Sequence, residues 1–454
     1  MDICASSRSG LFRQVSAVVL GSLLVYSPLS SSAQTGSTSS NSQTTSLGDS
    51  IHRTDGKQLH IFYLHGIGSD GPGDHDSQAL RQGICDFVKD CMVYAGEPDG
   101  TEYADQDEFA LNVPPPPLKY LGQEVWRKDH SGDRSTEWNA AAPFVVHWKL
   151  ARYHSAPTIY VDEINWWPLV FSLKCRQIVE NDAALVGPSA DTIKLCSRKQ
   201  PDESEDGRFI SYDWIPTEDA PRLLALAHRG ALVNRKLKNG ILDWGFSDAV
   251  LALGPLRTYL LDGIRQLILK SVAISPDGIR GGGATPANDQ EYVIVSHSLG
   301  SYLIFAALDI GPATLKTATV QNSGDAFKDV LRRTSLVYFF ANQLRLLELA
   351  SLDGSSDKNL VTHLEDWGRL RCEYLNPSSG STQPCARPKI IALNDPSDLL
   401  TWTVPEQIAS VEVQNVVVKN TRHWFWLIAS PTKAHDNYAK NKNAVGQMLK
   451  LHKP

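Results

Sequence analysis

The sequence predicts an α/β fold: a mostly parallel sheet flanked by helices, interrupted by a large inserted cap or lid region. Three observations predict it. Short apolar runs recur at 59–64, 291–295, 335–340, 389–393 and 411–419, with helical stretches between them. That alternation implies parallel strands covered on both faces. Two of the runs end in turns of small residues, His65-Gly66-Ile67-Gly68 and Ser296-His297-Ser298-Leu299-Gly300. Between these two turns lies a long stretch, about 100–245, that does not follow the alternation.

The first residues stand apart from the fold. Arg8 and Arg13 precede an apolar run from Val15 to Tyr26, and Ser31-Ser32-Ala33 follows. This is the charged, apolar and small-residue order of a secretory signal peptide, here residues 1–33 with cleavage after Ala33. The apolar run is shorter than the roughly 20 residues a membrane-spanning helix needs, so a membrane anchor is the weaker reading. Residues 34–50 are rich in Ser, Thr and Gly and read as a flexible linker, and the main domain, 51–454, begins after them.

Leu59-His60-Ile61-Phe62-Tyr63-Leu64 reads as one apolar run apart from His60, as expected of a strand buried on both faces. Residues 76–91 read as a helix with Asp76 as N-cap, carrying Leu80, Ile84, Phe87, Val88 and Cys91 at helical spacing. Within 100–245, only Ala156 to Pro168 holds a clear strand signal. Trp244 to Ile274 is helical, with Leu253, Leu256, Leu260, Ile264 and Leu267 near one face. The strand 291–295 runs directly into the serine turn, and the small or apolar residues 301–308 suit a helix packed on the sheet.

Composition narrows the function classes. The chain is 42% hydrophobic and 21% charged, ordinary for a folded domain, and its net charge of −6 offers no basic surface to a nucleic acid. Removal of the leader takes Cys4 with it and leaves Cys85, Cys91, Cys175, Cys196, Cys372 and Cys385. An even set in an exported chain reads as disulfides, and the simplest connectivity pairs neighbours: 85–91, 175–196 and 372–385. The spacings match no zinc motif, and no HExxH pattern occurs, so neither metal nor cofactor is expected. These features place the protein in the periplasm or outside the cell.

Chemistry concentrates in the small-residue turns. A serine on a tight strand-to-helix turn needs small residues two before and two after it; Ser296 and Gly300 satisfy this around Ser298. The alternative is an ordinary helix N-cap serine. The strand 389–393 is followed by Asn394-Asp395-Pro396-Ser397-Asp398, which supplies an acid. Beyond the last strand stand His423, His435 and His452. His435 precedes the helical stretch that runs to about 452, whereas His423 is flanked by Arg422 and Trp424 and His452 is terminal.

The order Ser…Asp…His, with these turns, resembles the α/β-hydrolase superfamily of serine esterases and lipases over about 58–95 and 288–452. The resemblance implies Ser298 as nucleophile, His435 as base and an acid in the 394–398 loop. Asp398 is preferred there, because Asp395 stands before Pro396 and has a turn of its own to open. The resemblance also implies an oxyanion hole from the amides of Leu299 and Ile67, and a cap at about 100–245. Ser296 departs from the family pattern by replacing its first glycine.

The reaction expected is hydrolysis of a carboxylic ester through an acyl-enzyme, with a small-molecule or lipid ester as partner. A thioesterase, peptidase or acyltransferase on the same triad, or a binding protein on a degenerate scaffold, are the alternatives. Trp166-Trp167 and Trp424-Phe425-Trp426 could meet lipid, and so support transient membrane-surface contact, but such residues more often pack a core or lid.

Overall fold

Eight strands form one sheet in the order β2-β3-β4-β1-β5-β6-β7-β8. The computed structural model describes residues 46–52, 58–66, 77–89, 91, 102–108, 144–150, 158–167, 169–170, 246–254, 256–272, 290–307, 327–349, 360–375, 385, 387–420 and 431–450. In chain order these hold α1 (Leu47–His52), β1 (Gln58–Leu64), α2 (Gln78–Val88), β2 (Glu102–Glu108), β3 (Phe144–Leu150) and β4 (Ile159–Asn165). There follow α3 (Ser247–Leu253), α4 (Arg257–Val272), β5 (Gln290–His297), α5 (Leu299–Ala307), β6 (Thr334–Phe340) and α6 (Leu344–Glu348). The last part holds α7 (Leu360–Leu375), β7 (Lys389–Asn394), β8 (Glu412–Val417), α8 (Pro431–Asp436) and α9 (Lys442–Leu449).

β4, β1, β5, β6, β7 and β8 pair in parallel, while β3 is antiparallel to both β2 and β4. The protein is therefore α/β with a mostly parallel sheet. β1 lies between β4 and β5, which is why Leu59–Leu64 is apolar at every position apart from His60. Its alternate side chains feed two cores. Phe62 and Leu64 join Tyr292, Ile294, Val337, Phe339, Leu260, Ile264 and Leu303 on one face. Ile61 and Tyr63 join Val293, Val295, Tyr338, Ile84, Val445 and Met448 on the other. Each such side chain contributes roughly 1.5–3 kcal/mol on full burial.

The first face also buries a polar group. Asp162 accepts from His147 Nδ1 at 2.8 Å and from His60 Nδ1 at 3.0 Å. Burial pushes the Asp162 carboxyl up, but the hydrogen bonds and charges of the two histidines outweigh it and hold the group well below its ordinary value.

Several expectations are corrected here. β2, β3 and β4 belong to the sheet, so a cap cannot occupy all of 100–245; the part of that range after 170 lies outside the described residues. β2, of sequence EYADQDE, is the edge strand of the sheet. The linker expected at 34–50 ends earlier, because α1 begins at Leu47 with Leu47 and Ile51 buried. Helix α2 has Ser77, not Asp76, at its N-cap position. The long helix at 244–274 is two helices that break at Gly254. Trp166 and Trp167 are both buried core members.

Cys85–Cys91 and Cys372–Cys385 are disulfides, as neighbour pairing requires. Cys175, Cys196 and the leader lie outside the described residues. Among the described residues no helix is long and apolar enough to cross a membrane.

Candidate active site

In a parallel sheet the carboxyl ends of the strands line one edge. A crevice opens there where neighbouring strands send their connections in opposite directions. β1 and β5 are such neighbours: the chain leaves β1 for the β2 edge and leaves β5 for the β8 edge. His65-Gly66 ends β1 and Ser298 ends β5, so sheet order alone brings the two small-residue turns together.

The turn at Ser298 is tight. Its φ is 53°, a left-handed conformation that costs a non-glycine residue of order 1–3 kcal/mol. The surroundings hold it: Ser298 N–H donates to Phe340 O at 2.8 Å, and Ser301 N–H donates to Ser298 O at 3.0 Å. The neighbours must be small. A Cβ on Gly300 would lie 2.5 Å from His65 O, and one on Gly66 would lie 2.6 Å from Ser298 Cβ. Ser296 fits because its hydroxyl is itself used, 3.2 Å from Ser301 Oγ. Trp166 stacks on His65 and donates from Nε1 to His65 O at 3.1 Å, which fixes the end of β1.

Three expected residues meet at this edge. Ser298 Oγ donates to His435 Nε2 at 2.7 Å, and His435 Nδ1 lies 3.0 Å from both oxygens of Asp398. Asp398 follows β7, and His435 lies in α8 after β8. His435 is thus inside a short helix, rather than ahead of one long helix to 452. Leu299 is buried and opens α5, so its amide belongs to the first turn, whose N–H groups have no partner within the helix. Ile67, His423 and His452 lie outside the described residues.

Asp395 does different work. Its carboxylate accepts from Ser397 N–H at 2.8 Å and from Asn420 N–H, tying the β7 loop to the chain after β8. Asn420 in turn donates to Ala434 O at 2.8 Å, which anchors the residue before His435.

Four side chains join the site that sequence reasoning missed. His297 Nε2–H donates to His435 O at 2.8 Å. Burial, then the neighbouring His435, lowers the His297 pKa to about 4 against the raising effect of that hydrogen bond, so the ring is neutral at pH 7. Tyr438 OH accepts from Asp395 N–H at 2.6 Å and donates to Asp398 Oδ2 at 3.3 Å. Burial, then the Asp398 charge, raises its pKa, so it remains a phenol. Gln343 Nε2 donates to Ser298 Oγ at 2.8 Å. Asn342 is pinned to Trp402 in both directions, its main-chain carbonyl accepting Trp402 N–H at 3.0 Å and its side-chain amide donating to Trp402 O. The available signal was position: Asn342 and Gln343 follow the end of β6, the strand beside β5, on the sheet edge that carries Ser298.

Among the described residues no group of three or more His, Cys, Asp or Glu side chains is placed to hold a metal ion. The arrangement can remove a proton from Ser298 through His435, hold the resulting imidazolium against Asp398, and present helix amides to a developing negative charge. No family model, curated protein or solved structure matches the chain.

Proposed function

We propose that this protein is an exported serine hydrolase of the α/β-hydrolase type that cleaves a carboxylic ester through an acyl-enzyme. The single observation that carries the reading is the continuous Ser298–His435–Asp398 hydrogen-bond chain, based on a left-handed serine at a strand–helix turn. Asp398 fixes the tautomer with the proton on His435 Nδ1, leaving Nε2 as the base. His435 takes the Ser298 proton as Oγ attacks the carbonyl carbon, and the carbonyl π pair moves to oxygen. The Leu299 amide, with Ile67 as the expected second donor, receives that oxyanion; removing one such donor typically costs about 10²–10³ in rate. His435 then protonates the leaving alcohol and activates water to release the acid. Two disulfides accord with an oxidising compartment such as the periplasm or the extracellular space.

The test is active-site labelling. A fluorophosphonate should modify one residue, mapped to Ser298, and Ser298→Ala should abolish both labelling and turnover of short p-nitrophenyl esters. Labelling at another residue, or an Ser298→Ala variant with full turnover, would overturn the reading. A parallel panel of peptides and thioesters decides the acyl-group class.

A further inference from the structure

We propose that the side-chain amide of Gln343 is a catalytic hydrogen-bond donor to the Ser298 nucleophile, an inference that rests on the serine-hydrolase reading of this site. The direction of the bond follows from proton counting. An ionised Asp398 only accepts, so His435 Nδ1 carries a proton and Nε2 presents a lone pair. Ser298 must then give its one hydroxyl proton to His435, 2.7 Å away. Any second polar group on Oγ has to be a donor, and Gln343 supplies it from Nε2 at 2.8 Å.

The local structure is built to aim this amide. β6 ends at Phe340, and Ala341 adopts φ 49°, a left-handed conformation in a residue that is not glycine. Asn342 is clamped to Trp402 on the loop after Asp398. Gln343 itself is buried and sits at the N-cap position of α6, yet its side chain does not cap the helix. Two strained turns at the ends of adjacent strands therefore converge on one oxygen.

During attack the Oγ–H bond breaks, the proton passes to His435 Nε2, and the Oγ–carbon bond forms as the carbonyl pair moves to oxygen. Gln343 gains and loses no atom. Its N–H holds Oγ in the rotamer facing His435 and stabilises the negative charge that builds on Oγ before the new bond is complete. Hydrogen bonds to ionised oxygen are roughly twice as strong as neutral ones, so the contact strengthens along the reaction coordinate.

Two near-isosteric variants test this. Gln343→Met keeps the volume and removes the donor; Gln343→Glu replaces the donor with a carboxylate that accepts. The readouts are kcat and KM on p-nitrophenyl acetate across pH, the rate of phosphonylation of Ser298, and Tm. Gln343→Met should lose about 10- to 100-fold in kcat and in phosphonylation rate with KM within about twofold. Gln343→Glu should fall further, because its carboxylate competes with His435 for the serine proton, and its pH profile should gain a step that the wild type lacks. Gln343→Met within twofold of the wild type, or both variants falling together with Tm and an unaltered pH profile, would reduce Gln343 to packing. A wild-type protein that is not labelled at Ser298 would instead sink the hydrolase reading, and this inference with it.

Discussion

At the scale of single residues, the site divides two nearby carboxylates by geometry. Asp398 faces His435 and also accepts from Leu400 N–H at 2.9 Å, while Asp395 bonds two backbone amides, so the same substitution should strike turnover at one position and mainly stability at the other. Asp398→Asn presents the wrong hydrogen-bonding group to the imidazole and should lower turnover by about 10⁴, with a loss of stability no larger than that of Asp395→Asn. Asp395→Asn leaves backbone donors facing an amide and should cost stability of about 1–3 kcal/mol while sparing much of the turnover at low temperature. Turnover and thermal midpoint on the two variants check both; the reverse pattern would exchange the roles. The sequence offered both aspartates and a preference for Asp398 from its place in the loop. It could not display Gln343 or Tyr438, because an amide and a phenol carry no motif and gain their meaning from strands joined only by folding. Ser298 was legible because a strand–turn–helix context constrains it locally, and His435 because it follows the last strand, although the single long helix expected after it was not found.

At the scale of elements, the junction of β5 and α5 is the tightest feature of the site. Gly300→Ala would drive a Cβ against His65 O at 2.5 Å and Leu64 O at 2.8 Å, both rigid backbone. The helix must move, and its first amide with it, so this variant should lose about 1–3 kcal/mol and much of its turnover. Gly446→Ala in α9 is the control: its Cβ meets nothing within 4 Å, and the change should be neutral or stabilising by about 0.4–1 kcal/mol. Equal losses in the two variants would refute the packing argument. The parallel strands β1, β5, β6 and β7 were readable as apolar runs because both of their faces meet core; β3 went unread although Val145, Val146, Trp148 and Leu150 are buried, because His147 and Lys149 interrupt its run. β2 was not read either, since its sequence EYADQDE holds no apolar run, and the region around it was therefore assigned to a cap. The single helix at 244–274 was overextended because its apolar spacing continues across Gly254, where the backbone turns extended at ψ −168°.

At the scale of the whole molecule, the fold gathers chemistry from distant parts of the chain onto one edge of the sheet. The opposite face closes differently. Tyr338 on β6 accepts from Leu47 N–H at 2.9 Å and donates to Met448 O at 3.0 Å. One phenol thus bonds both the first and the last of the described helices, α1 and α9. The ordering of segments along the chain is then separable from their arrangement in space, because α1 and α9 lie side by side. A circular permutant that joins residue 450 to residue 46 by a short Gly/Ser linker, and opens the chain between Cys372 and Cys385, should keep the labelling of Ser298. The disulfide would then tie the new termini together, so reductant should lower the Tm of the permutant more than that of the parent. Equal sensitivity would mean that the bridge constrains little beyond its own loop.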